Sequence, residues 1–372
     1  MISFARGVPA PECLAVDELA ESARAALERD GRTILSYGPG GGYGPLREWL
    51  AERHGVEPAR VVITSGSLQG FVFLAQHLVR QGSRVLVEAP TYDRPLKILA
   101  RLGAEIVPLE MDDEGLVPDA LESALGAGDA PAFIYTIPTF QNPSGRTLSL
   151  ERRRRLAELA RERQLLVLED DPYGLVRYDG EPLPSVFELA SAAGGGGEQI
   201  AYCSSFSKTV APGVRVGWFV LPPQLAHEIE ALAVSTYISP PYLSQATVLE
   251  FARRGSFEPN LERVNGLLRE RRDAMLESLA REMPEDARWT QPQGGYFVWL
   301  ELPSGPPSGE LLAEAEEADV TFVKGTDFYP EGRGGERALR LAFSFVSPDE
   351  IAEGVSRLGS LVRAAAPTAP AL

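Results

Sequence analysis

The stretch that decides the fold of this chain is Ser204-Ser205-Phe206-Ser207-Lys208-Thr209-Val210-Ala211-Pro212-Gly213-Val214-Arg215. It lies between two apolar runs, residues 200–203 and 216–221, which predict strands. A desolvated lysine amine loses its proton and can then form a Schiff base with an aldehyde. Hydroxyls and a guanidinium can together hold a phosphate. An exposed lysine in a Ser/Thr turn would show the same pattern, so the rest of the chain must decide between these interpretations.

The overall composition predicts a soluble globular protein of about two domains. The chain has 372 residues, of which 44% are hydrophobic and 24% are charged. Its net charge of −16 argues against nucleic acid or a membrane surface as the main partner. The cysteines Cys13 and Cys203 match no metal motif and suit a reducing compartment, which favours the cytoplasm. The histidines are scattered, so no metal site is expected, and neither a signal peptide nor a membrane span is predicted.

Upstream of the opening stretch, short apolar runs alternate with helical patterns. The predicted strands are residues 61–64, 85–87, 105–109, 132–136 and 165–168, and predicted helices at 70–80, 96–102 and 150–163 lie between them. Continuous runs of β-branched and leucine residues bounded by loops are typical of strands buried on both faces. The sequence therefore predicts an α/β fold with a mostly parallel central sheet flanked by helices.

The pattern changes after Leu221 to one typical of a smaller α+β domain. There, helices are predicted at residues 243–254, 261–281 and 348–363, and strands at 295–300, 321–323 and 339–343. We expect three segments in the chain. Residues 1–44 form an N-terminal segment and helix that belong to the small domain, residues 45–242 form the large ligand-binding domain, and residues 243–372 form the small domain.

Four predicted strands end in loops that carry polar side chains. These loops are residues 65–67, 141–142, 170–173 and 205–208. Turn formation or helix capping would explain any one of them. Because ligands of open parallel sheets bind at the carboxyl ends of the strands, four such loops at one edge favour a binding site.

These loops supply the groups that pyridoxal 5'-phosphate, an aldehyde and a phosphate ester, requires. Backbone amides and the hydroxyl of Ser67 at a helix start can bind the phosphate. Asp170, at the end of a buried strand, can keep the pyridine nitrogen protonated and so make the ring an electron sink. Tyr173 and Asn142 can reach the ring's 3'-oxygen, and Tyr92 can stack on the ring. In this interpretation Lys208 is the Schiff-base lysine and proton carrier, and the phosphate cup is completed by Ser205, Ser207 and Arg215.

The chain resembles the fold-type I pyridoxal-phosphate aminotransferases, and within them the aminoadipate/kynurenine aminotransferase branch. The resemblance rests on Tyr37-Gly38-Pro39, Gly66-Ser67-Leu68-Gln69-Gly70, Glu88-Ala89-Pro90-Thr91-Tyr92, Gln141-Asn142-Pro143-Ser144-Gly145, Glu169-Asp170-Asp171-Pro172-Tyr173, Ser205-Phe206-Ser207-Lys208, Ala211-Pro212-Gly213-Val214-Arg215-Val216-Gly217, Pro292-Gln293-Gly294-Gly295-Tyr296-Phe297 and Leu339-Arg340-Leu341-Ala342-Phe343-Ser344. The resemblance as a whole runs from about residue 2 to residue 363, and the order and spacing of its motifs together are highly specific.

The resemblance implies roles that spacing alone does not show. Gly66, Ser67 and Leu68 are expected at the cofactor phosphate. Asp170, rather than Asp171, is expected to bind the pyridine nitrogen. Arg340 should pair bidentately with the substrate α-carboxylate, with help from Asn142.

The resemblance also implies a homodimer whose sites lie at the interface, because Tyr37 should reach the phosphate of the neighbouring subunit's cofactor. The N-terminal segment, including Gly7, should close over the substrate. Two residues depart from the branch. Arg6 replaces a glycine, and it either faces the pocket, where it would select an acidic side chain or obstruct a bulky one, or lies on the surface. Lys324 stands where proline is common.

The implied activity is transamination from an L-amino acid to a 2-oxo acid, with 2-oxoglutarate as the expected acceptor, in a ping-pong cycle through Lys208. A lyase, racemase or oxidative enzyme of a biosynthetic pathway would share every cofactor residue and remains an alternative. A ligand-sensing transcriptional regulator can carry the same domain, but the acidic composition disfavours DNA binding.

Overall fold

The computed structural model describes residues 1–195 and 197–365, and it shows strands and helices alternating through the first two thirds of the chain. The helices are α1 Val16–Ile34, α2 Gly44–His54, α3 Ser67–Leu78, α4 Asp93–Arg101, α5 Pro118–Gly126, α6 Leu150–Glu162, α7 Val186–Ala190, α8 Pro223–Tyr237, α9 Tyr242–Arg253, α10 Phe257–Glu282, α11 Ser308–Glu317 and α12 Pro348–Ala365. The strands are β1 Ile2–Ser3, β2 Val61–Thr64, β3 Arg84–Ala89, β4 Glu105–Asp112, β5 Gly115–Leu116, β6 Phe133–Thr136, β7 Val167–Asp170, β8 Ile200–Ser205, β9 Gly217–Val220, β10 Arg288–Trp289, β11 Phe297–Glu301, β12 Val320–Thr321, β13 Val323–Lys324 and β14 Ala338–Ala342.

The central sheet has the strand order β2-β9-β8-β7-β6-β3-β4-β5. The strands β2, β3, β4, β6, β7 and β8 point the same way, whereas β9 and β5 are antiparallel to their neighbours. The predicted α/β fold with a mostly parallel central sheet is therefore confirmed.

The short connection between β8 and β9 explains why β9 is antiparallel to its neighbours. Residues 206–216 connect it to β8 and contain no α-helix. A parallel crossover needs a dozen or more residues and usually a helix, so this connection can only reverse the chain direction. The reversal places the stretch around Lys208 at the sheet edge where β6, β7 and β8 end.

The two faces of the sheet are covered by different helices, as expected for continuous apolar strands. One face packs against α2, α6 and α7, with Leu50 and Leu156 in its core. The other packs against α3, α4 and α8, with Leu74 and Leu99 in its core. Successive residues of a strand alternate between these faces, which determines which side chains can reach the site.

A second core forms around an antiparallel sheet of order β10-β11-β14-β13, packed against α10, α11 and α12. The chain start joins this core, because β1 pairs in parallel with β12 and Phe4 is fully buried. The helix α10 links the two cores, with Phe257 in the larger one and Val264 in the smaller one.

The packing of α1 differs from the expected division of the chain. The predicted N-terminal segment, residues 1–44, is split, because its first residues join the smaller core while α1 packs against α9 in the larger one. The helix α9, expected in the small domain of residues 243–372, also lies in the larger core. Apolar faces on α1 and α9 bury each other, and short-range sequence pattern carries no information about such a pairing. Of the small domain predicted over residues 243–372, residues 366–372 lie outside the described residues.

The helices α5, α7, α8 and α11 were not predicted. The helix expected in the N-terminal segment is α1, which has a break in helical geometry at Asp30. None of the helices in the described ranges combines the length and the apolar character that crossing a membrane requires.

Candidate active site

The carboxyl ends of β6, β7 and β8, the loop after β3 and the first turn of α3 enclose a cavity of about 410 Å³ between the two cores. The sequence-predicted residues that line it are Gly7, Gly66, Ser67, Leu68, Tyr92, Asn142, Asp170, Tyr173, Ser205, Ser207, Lys208, Arg215 and Arg340. Residues far apart in sequence are thus brought together because parallel strands end at one edge.

Lys208 lies partly buried in the turn after β8. Its Nζ donates a hydrogen bond to the carbonyl of Gly7 at 2.9 Å and lies 5.0 Å from the centroid of the Tyr296 ring. Within the described residues, no carboxylate forms an ion pair with it. Burial, followed by repulsion from Arg340 and Arg215, lowers the pKa of Lys208 to about 8. A useful fraction of this amine is therefore neutral near physiological pH.

A cluster of hydroxyls and one guanidinium lies beside Lys208. The Ser205 hydroxyl donates to the Ser207 hydroxyl at 2.8 Å, and Nη1 of Arg215 donates to the Ser207 hydroxyl at 3.4 Å. Nη2 of Arg215 donates to the Ser65 carbonyl at 3.0 Å, which ties the guanidinium to the loop before α3. The first turn of α3 completes the cluster, because helix N-termini present unsatisfied amides to anions.

Two glycines allow this close packing. Gly66 has a φ of 83°, and an added Cβ would lie 2.2 Å from Nη2 of Arg215. At Gly217, the first residue of β9, a Cβ would lie 2.3 Å from the backbone nitrogen of Ser67. A side chain at Gly217 would push against the backbone before α3, and one at Gly66 would displace the Arg215 guanidinium, so both glycines are required for the α3 amides and Arg215 to converge.

The adjacent residues Asp170 and Asp171 point to opposite sides of the sheet. Asp170 ends β7 and lines the cavity, where Oδ2 accepts a hydrogen bond from the Tyr135 hydroxyl at 2.7 Å. Asp171 accepts one from the Tyr202 hydroxyl at 3.1 Å on the other side. Burial raises the pKa of Asp170 to about 6, so at pH 7 it remains mostly ionised.

Aromatic rings form the walls of the cavity. Tyr173 is buried, with its ring 5.3 Å from that of Tyr296 and 5.8 Å from that of Phe297. Tyr92 lies in the loop after β3, and burial raises its pKa to about 12. Burial raises the pKa of Tyr173 as well, so both phenols stay protonated at neutral pH and can donate hydrogen bonds.

Arg340 on β14 reaches into the cavity from the smaller core and is only 7% exposed. Nη1 donates to Oδ1 of Asn142 at 3.0 Å and Nη2 to the Ala5 carbonyl at 2.9 Å, while Nε is buried without a hydrogen-bond partner. Its guanidinium carbon lies 4.3 Å from the centroid of Phe297. No carboxylate of the described residues pairs with it, and burial lowers its pKa to about 10. A buried cation without an anion is suited to a carboxylate ligand.

Two predicted residues do not line the cavity. Tyr37 is 83% exposed, so in a single subunit it contacts no part of the site. Arg6 is exposed as well, with its guanidinium carbon 4.1 Å from the centroid of the Phe345 ring. Lys324, the other departure, pairs with Asp327 at 3.4 Å outside the cavity.

A buried polar network, which the sequence interpretation gave no role, fixes two of the loops. The Glu88 carboxylate accepts hydrogen bonds from Thr136, from the amide of Ile137 and from Gln141. Gln141 also donates to the Pro90 carbonyl at 2.7 Å. The loop carrying Asn142 is thereby joined to the loop carrying Tyr92. A charged residue continuing the apolar run 85–87 was the available signal, because a buried carboxylate requires donors.

The donor set fits pyridoxal 5'-phosphate. A lysine with a lowered pKa lies beside a cluster of hydroxyls, amides and a guanidinium, and a buried carboxylate faces the same cavity. Gly66 and Gly217 allow Arg215 and the first turn of α3 to approach this cluster closely. In the described part of the chain, no group of three or more His, Cys, Asp or Glu residues could hold a metal ion.

Comparison with known proteins agrees with this chemistry. The family model described as aminotransferase class I and II matches residues 7–358. A 2-aminoadipate transaminase of Thermus thermophilus is 40% identical over 363 residues, 98% of this chain and 90% of that protein. An aromatic-amino-acid aminotransferase of Thermococcus litoralis is 35% identical over 98% of this chain and 88% of its own length. The solved α-aminoadipate aminotransferase of Thermus thermophilus, complexed with N-(5'-phosphopyridoxyl)-L-leucine, gives a TM-score of 0.92 at 40% identity, covering 98% of this chain and 92% of that one.

Proposed function

This chain belongs to the class I and II aminotransferases and is a pyridoxal-phosphate-dependent transaminase, and we propose that it moves the amino group of an L-amino acid to 2-oxoglutarate in a ping-pong cycle. The observation that carries the proposal is Arg340, a buried guanidinium without a carboxylate partner among the described residues that faces the same cavity as Lys208. Amino acids and 2-oxo acids share an α-carboxylate, so one such cation serves both substrates.

Several residues would hold the cofactor. The first turn of α3, with Gly66, Ser67 and Leu68, together with the cluster of Ser205, Ser207 and Arg215, would bind its phosphate. Asp170 would pair with the ring nitrogen, Tyr173 and Asn142 would hold the ring oxygen, and Tyr92 would stack on the ring. Bound there, pyridoxal phosphate supplies an electron sink for the electrons of the substrate's Cα–H bond.

Lys208 would hold the cofactor covalently through its Nζ and, once released, take the proton of the substrate Cα. This role needs a neutral amine, and a pKa of about 8 leaves a usable fraction of Lys208 neutral near pH 7. Arg340 would hold the substrate α-carboxylate, assisted by Asn142. In the structure Arg340 donates to the Ala5 carbonyl and Lys208 donates to the Gly7 carbonyl. The N-terminal segment therefore covers both side chains. A bound substrate would replace these two carbonyls as hydrogen-bond acceptor beneath the N-terminal segment.

The two cores support a division into two domains, the larger holding the cofactor and the smaller supplying Arg340 and the N-terminal segment. The packing suggests that α1 and α9 move with the larger domain. Both cysteines are free and buried, which accords with a reducing compartment such as the cytoplasm.

A homodimer would explain the position of Tyr37. Its loop is anchored at the base, where the Tyr242 hydroxyl donates to the carbonyls of Pro39 and Gly42 at 2.8 and 3.2 Å. The Tyr37 ring itself is exposed, as are Leu35 and Ile238. Exposed apolar side chains of this kind often mark a protein interface. We infer that Tyr37 contributes to the phosphate site of a partner subunit.

Mixing two inactive variants tests the dimer. In a hybrid of Lys208→Ala and Tyr37→Ala subunits, one site would combine an intact Lys208 with an intact Tyr37. Activity should therefore return after subunit exchange. If mixing restores nothing while native mass spectrometry shows hybrids, Tyr37 does not act across an interface.

The transaminase proposal is tested by supplying the purified, cofactor-loaded protein with a panel of L-amino acids and 2-oxoglutarate and measuring glutamate. Arg340→Gln should lower kcat/KM about 10²–10³-fold, because charge-assisted hydrogen bonds to the carboxylate are lost. The exposed Arg337→Gln is the matched control. Unchanged kcat/KM in Arg340→Gln would remove Arg340 from the substrate site, and no glutamate from any donor would contradict 2-oxoglutarate as the acceptor.

A further inference from the structure

Each oxygen of the Asp170 carboxylate is held by a side chain to which the sequence interpretation gave no functional role. The Tyr135 hydroxyl donates to Oδ2 at 2.7 Å, and the Cys203 thiol donates to Oδ1 at 3.3 Å. In the sequence analysis Cys203 was only a cysteine that matches no metal motif, and Tyr135 was only part of the predicted strand 132–136. Asp170 lines the cavity, whereas Tyr135 and Cys203 do not.

The register of three neighbouring strands produces this arrangement. Asp170 on β7 pairs with Cys203 on β8, and Tyr135 on β6 pairs with Leu168, two residues before Asp170. Because side chains alternate along a strand, these residues share one face of the sheet. A slip of one residue in either pairing would move a donor to the opposite face.

The acidic residues on either side of Asp170, Glu169 and Asp171, accept their hydrogen bonds on the opposite face of the sheet. Glu169 accepts hydrogen bonds from the amides of Val186 and Phe187, the first residues of α7, at 2.9 and 2.8 Å. Asp171 accepts its hydrogen bond from the Tyr202 hydroxyl. These three adjacent carboxylates therefore have separate sets of donors, and Tyr135 and Cys203 donate only to Asp170 among them.

Burial makes Tyr135 a permanent donor. It is fully buried, with its ring edge-on to Phe71 at 5.4 Å. Burial, followed by the Asp170 charge, raises the pKa of Tyr135 well above its usual range. The same two causes raise the pKa of the Cys203 thiol. Both groups therefore keep their protons under working conditions, and Asp170 is the acceptor within reach of each.

We propose that Tyr135 and Cys203 are positioning residues that fix the orientation of the Asp170 carboxylate and keep it ionised at neutral pH, so that it can pair with a protonated ring nitrogen. The pairing rests on the proposed cofactor roles, whereas the effect on Asp170 can be measured without any ligand.

The electrostatics around Asp170 favour this role. Burial raises the pKa of Asp170 to about 6, the hydrogen bonds from Tyr135 and Cys203 oppose that rise, and the charge of Asp171 adds to it. Other titratable or charged groups that face Asp170 or share its cavity are Glu88, Tyr92, Tyr173, Lys208, Arg215 and Arg340. Loss of one charge-assisted hydrogen bond should raise the pKa of Asp170 from about 6 to about 7–8. At pH 7, half or more of Asp170 would then be neutral.

The test measures the protonation of Asp170 in the cofactor-free protein by infrared spectroscopy with ¹³C-labelled aspartate. The band of Asp170 is assigned by its loss in Asp170→Asn. In Tyr135→Phe the midpoint of this band should move upward by about one to two pH units, the effect of one such hydrogen bond. Tyr202→Phe is the matched control, because it removes the equivalent hydrogen bond from Asp171. It should leave the Asp170 midpoint unchanged or lower it.

Cofactor affinity provides a second readout. The Kd for pyridoxal phosphate should rise in Tyr135→Phe at pH 7, and the difference from the parent protein should shrink at pH 9, where Asp170 is ionised in both. A weakening that is equal at all pH values would indicate damage to packing alone and overturn the proposal. An unchanged Asp170 midpoint would overturn it as well.

The cysteine supplies an independent pair of variants should Tyr135→Phe fail to fold. Cys203→Ala removes the donor and should raise the Asp170 midpoint, whereas Cys203→Ser retains a donor and should restore it. Equal midpoints in these two variants would contradict the role of Cys203. Since the infrared measurement uses neither cofactor nor substrate, its failure is distinguishable from failure of the proposed transaminase activity.

Discussion

Lys208 should react with an amine reagent at a lower pH than an ordinary lysine. The chain contains three lysines, Lys97, Lys208 and Lys324, so their labelling can be followed individually. Lys97 pairs with Asp93 at 2.6 Å, whereas Lys208 is partly buried and faces two guanidiniums. Burial and these charges disfavour the ammonium form of Lys208, which lowers its pKa to about 8.

The difference in neutral fraction between Lys208 and an ordinary lysine is large enough to measure. At pH 7 a group with a pKa of about 8 is roughly 10% neutral, whereas an ordinary lysine near 10.4 is roughly 0.04% neutral, a ratio of about 200. The lowered pKa of Lys208 also determines how the stability of the protein depends on pH. The folded protein releases this proton at a lower pH than the unfolded chain, so Lys208 makes the cofactor-free protein more stable as pH rises from about 8 towards 10.4.

The assay is competitive labelling of the cofactor-free protein with trace isotopic acetic anhydride across pH, followed by mass spectrometry of the lysine peptides. Lys208 should show a midpoint near pH 8, and Arg340→Gln should move it upward because a nearby positive charge is removed. The exposed Arg337→Gln should leave it unchanged. A Lys208 midpoint near that of an ordinary lysine, about 10.4, would refute the reasoning from burial and charge.

Two further predictions concern packing. Gly217→Ala should weaken pyridoxal-phosphate binding about 10–100-fold, measured by fluorescence titration, because the new Cβ would lie 2.3 Å from the backbone of the first turn of α3 and displace it. Gly213→Ala, which meets nothing within 4 Å, should bind normally, and equal affinities would show that the turn is not rigid. Arg153→Ala should cost about 3–5 kcal/mol in urea unfolding, because its buried guanidinium donates to three carbonyls and a hydroxyl that would lose their donors. The adjacent exposed Arg154→Ala should change stability by less than about 0.5 kcal/mol, and a loss as large as that of Arg153→Ala would contradict this account.

The meeting of the polar loops at one edge of the sheet was predictable, because the local sequence pattern and the sheet topology together determine it. Apolar runs indicated β2, β3, β6 and β8, and the polar residues that follow them had to meet at one edge once the sheet was parallel. The placement of Asp170 inside the cavity and Asp171 outside it could not be derived from spacing alone. It depends on the end of β7 at Asp170, two residues beyond the predicted strand end, and such boundaries are the least certain part of a sequence pattern.

Long-range packing accounts for what the sequence did not show. The antiparallel direction of β9 was available in principle, because residues 206–216 are too few for a helical crossover. The contact of α1 with α9 and the donors around Glu88 and Asp170 depend on which surfaces meet, and no local signal records that. Tyr37 shows the same limit, because its proposed role across an interface would leave it exposed in one subunit, as observed.

The charge balance of the cavity explains how a protein of net charge −16 can still bind anions. Lys208, Arg215 and Arg340 all line the cavity, and within the described residues no carboxylate forms an ion pair with any of them. Asp170 faces the same cavity, but its oxygens are engaged by Tyr135 and Cys203. Concentrated positive charge in a partly enclosed cleft attracts anionic ligands even when the surface as a whole is negative. A phosphate at Arg215 and a carboxylate at Arg340 would neutralise two of the three cations and leave Lys208 with less repulsion. The proton affinity of Lys208 should therefore rise as these anions bind, which favours transfer of the substrate α-proton to its amine.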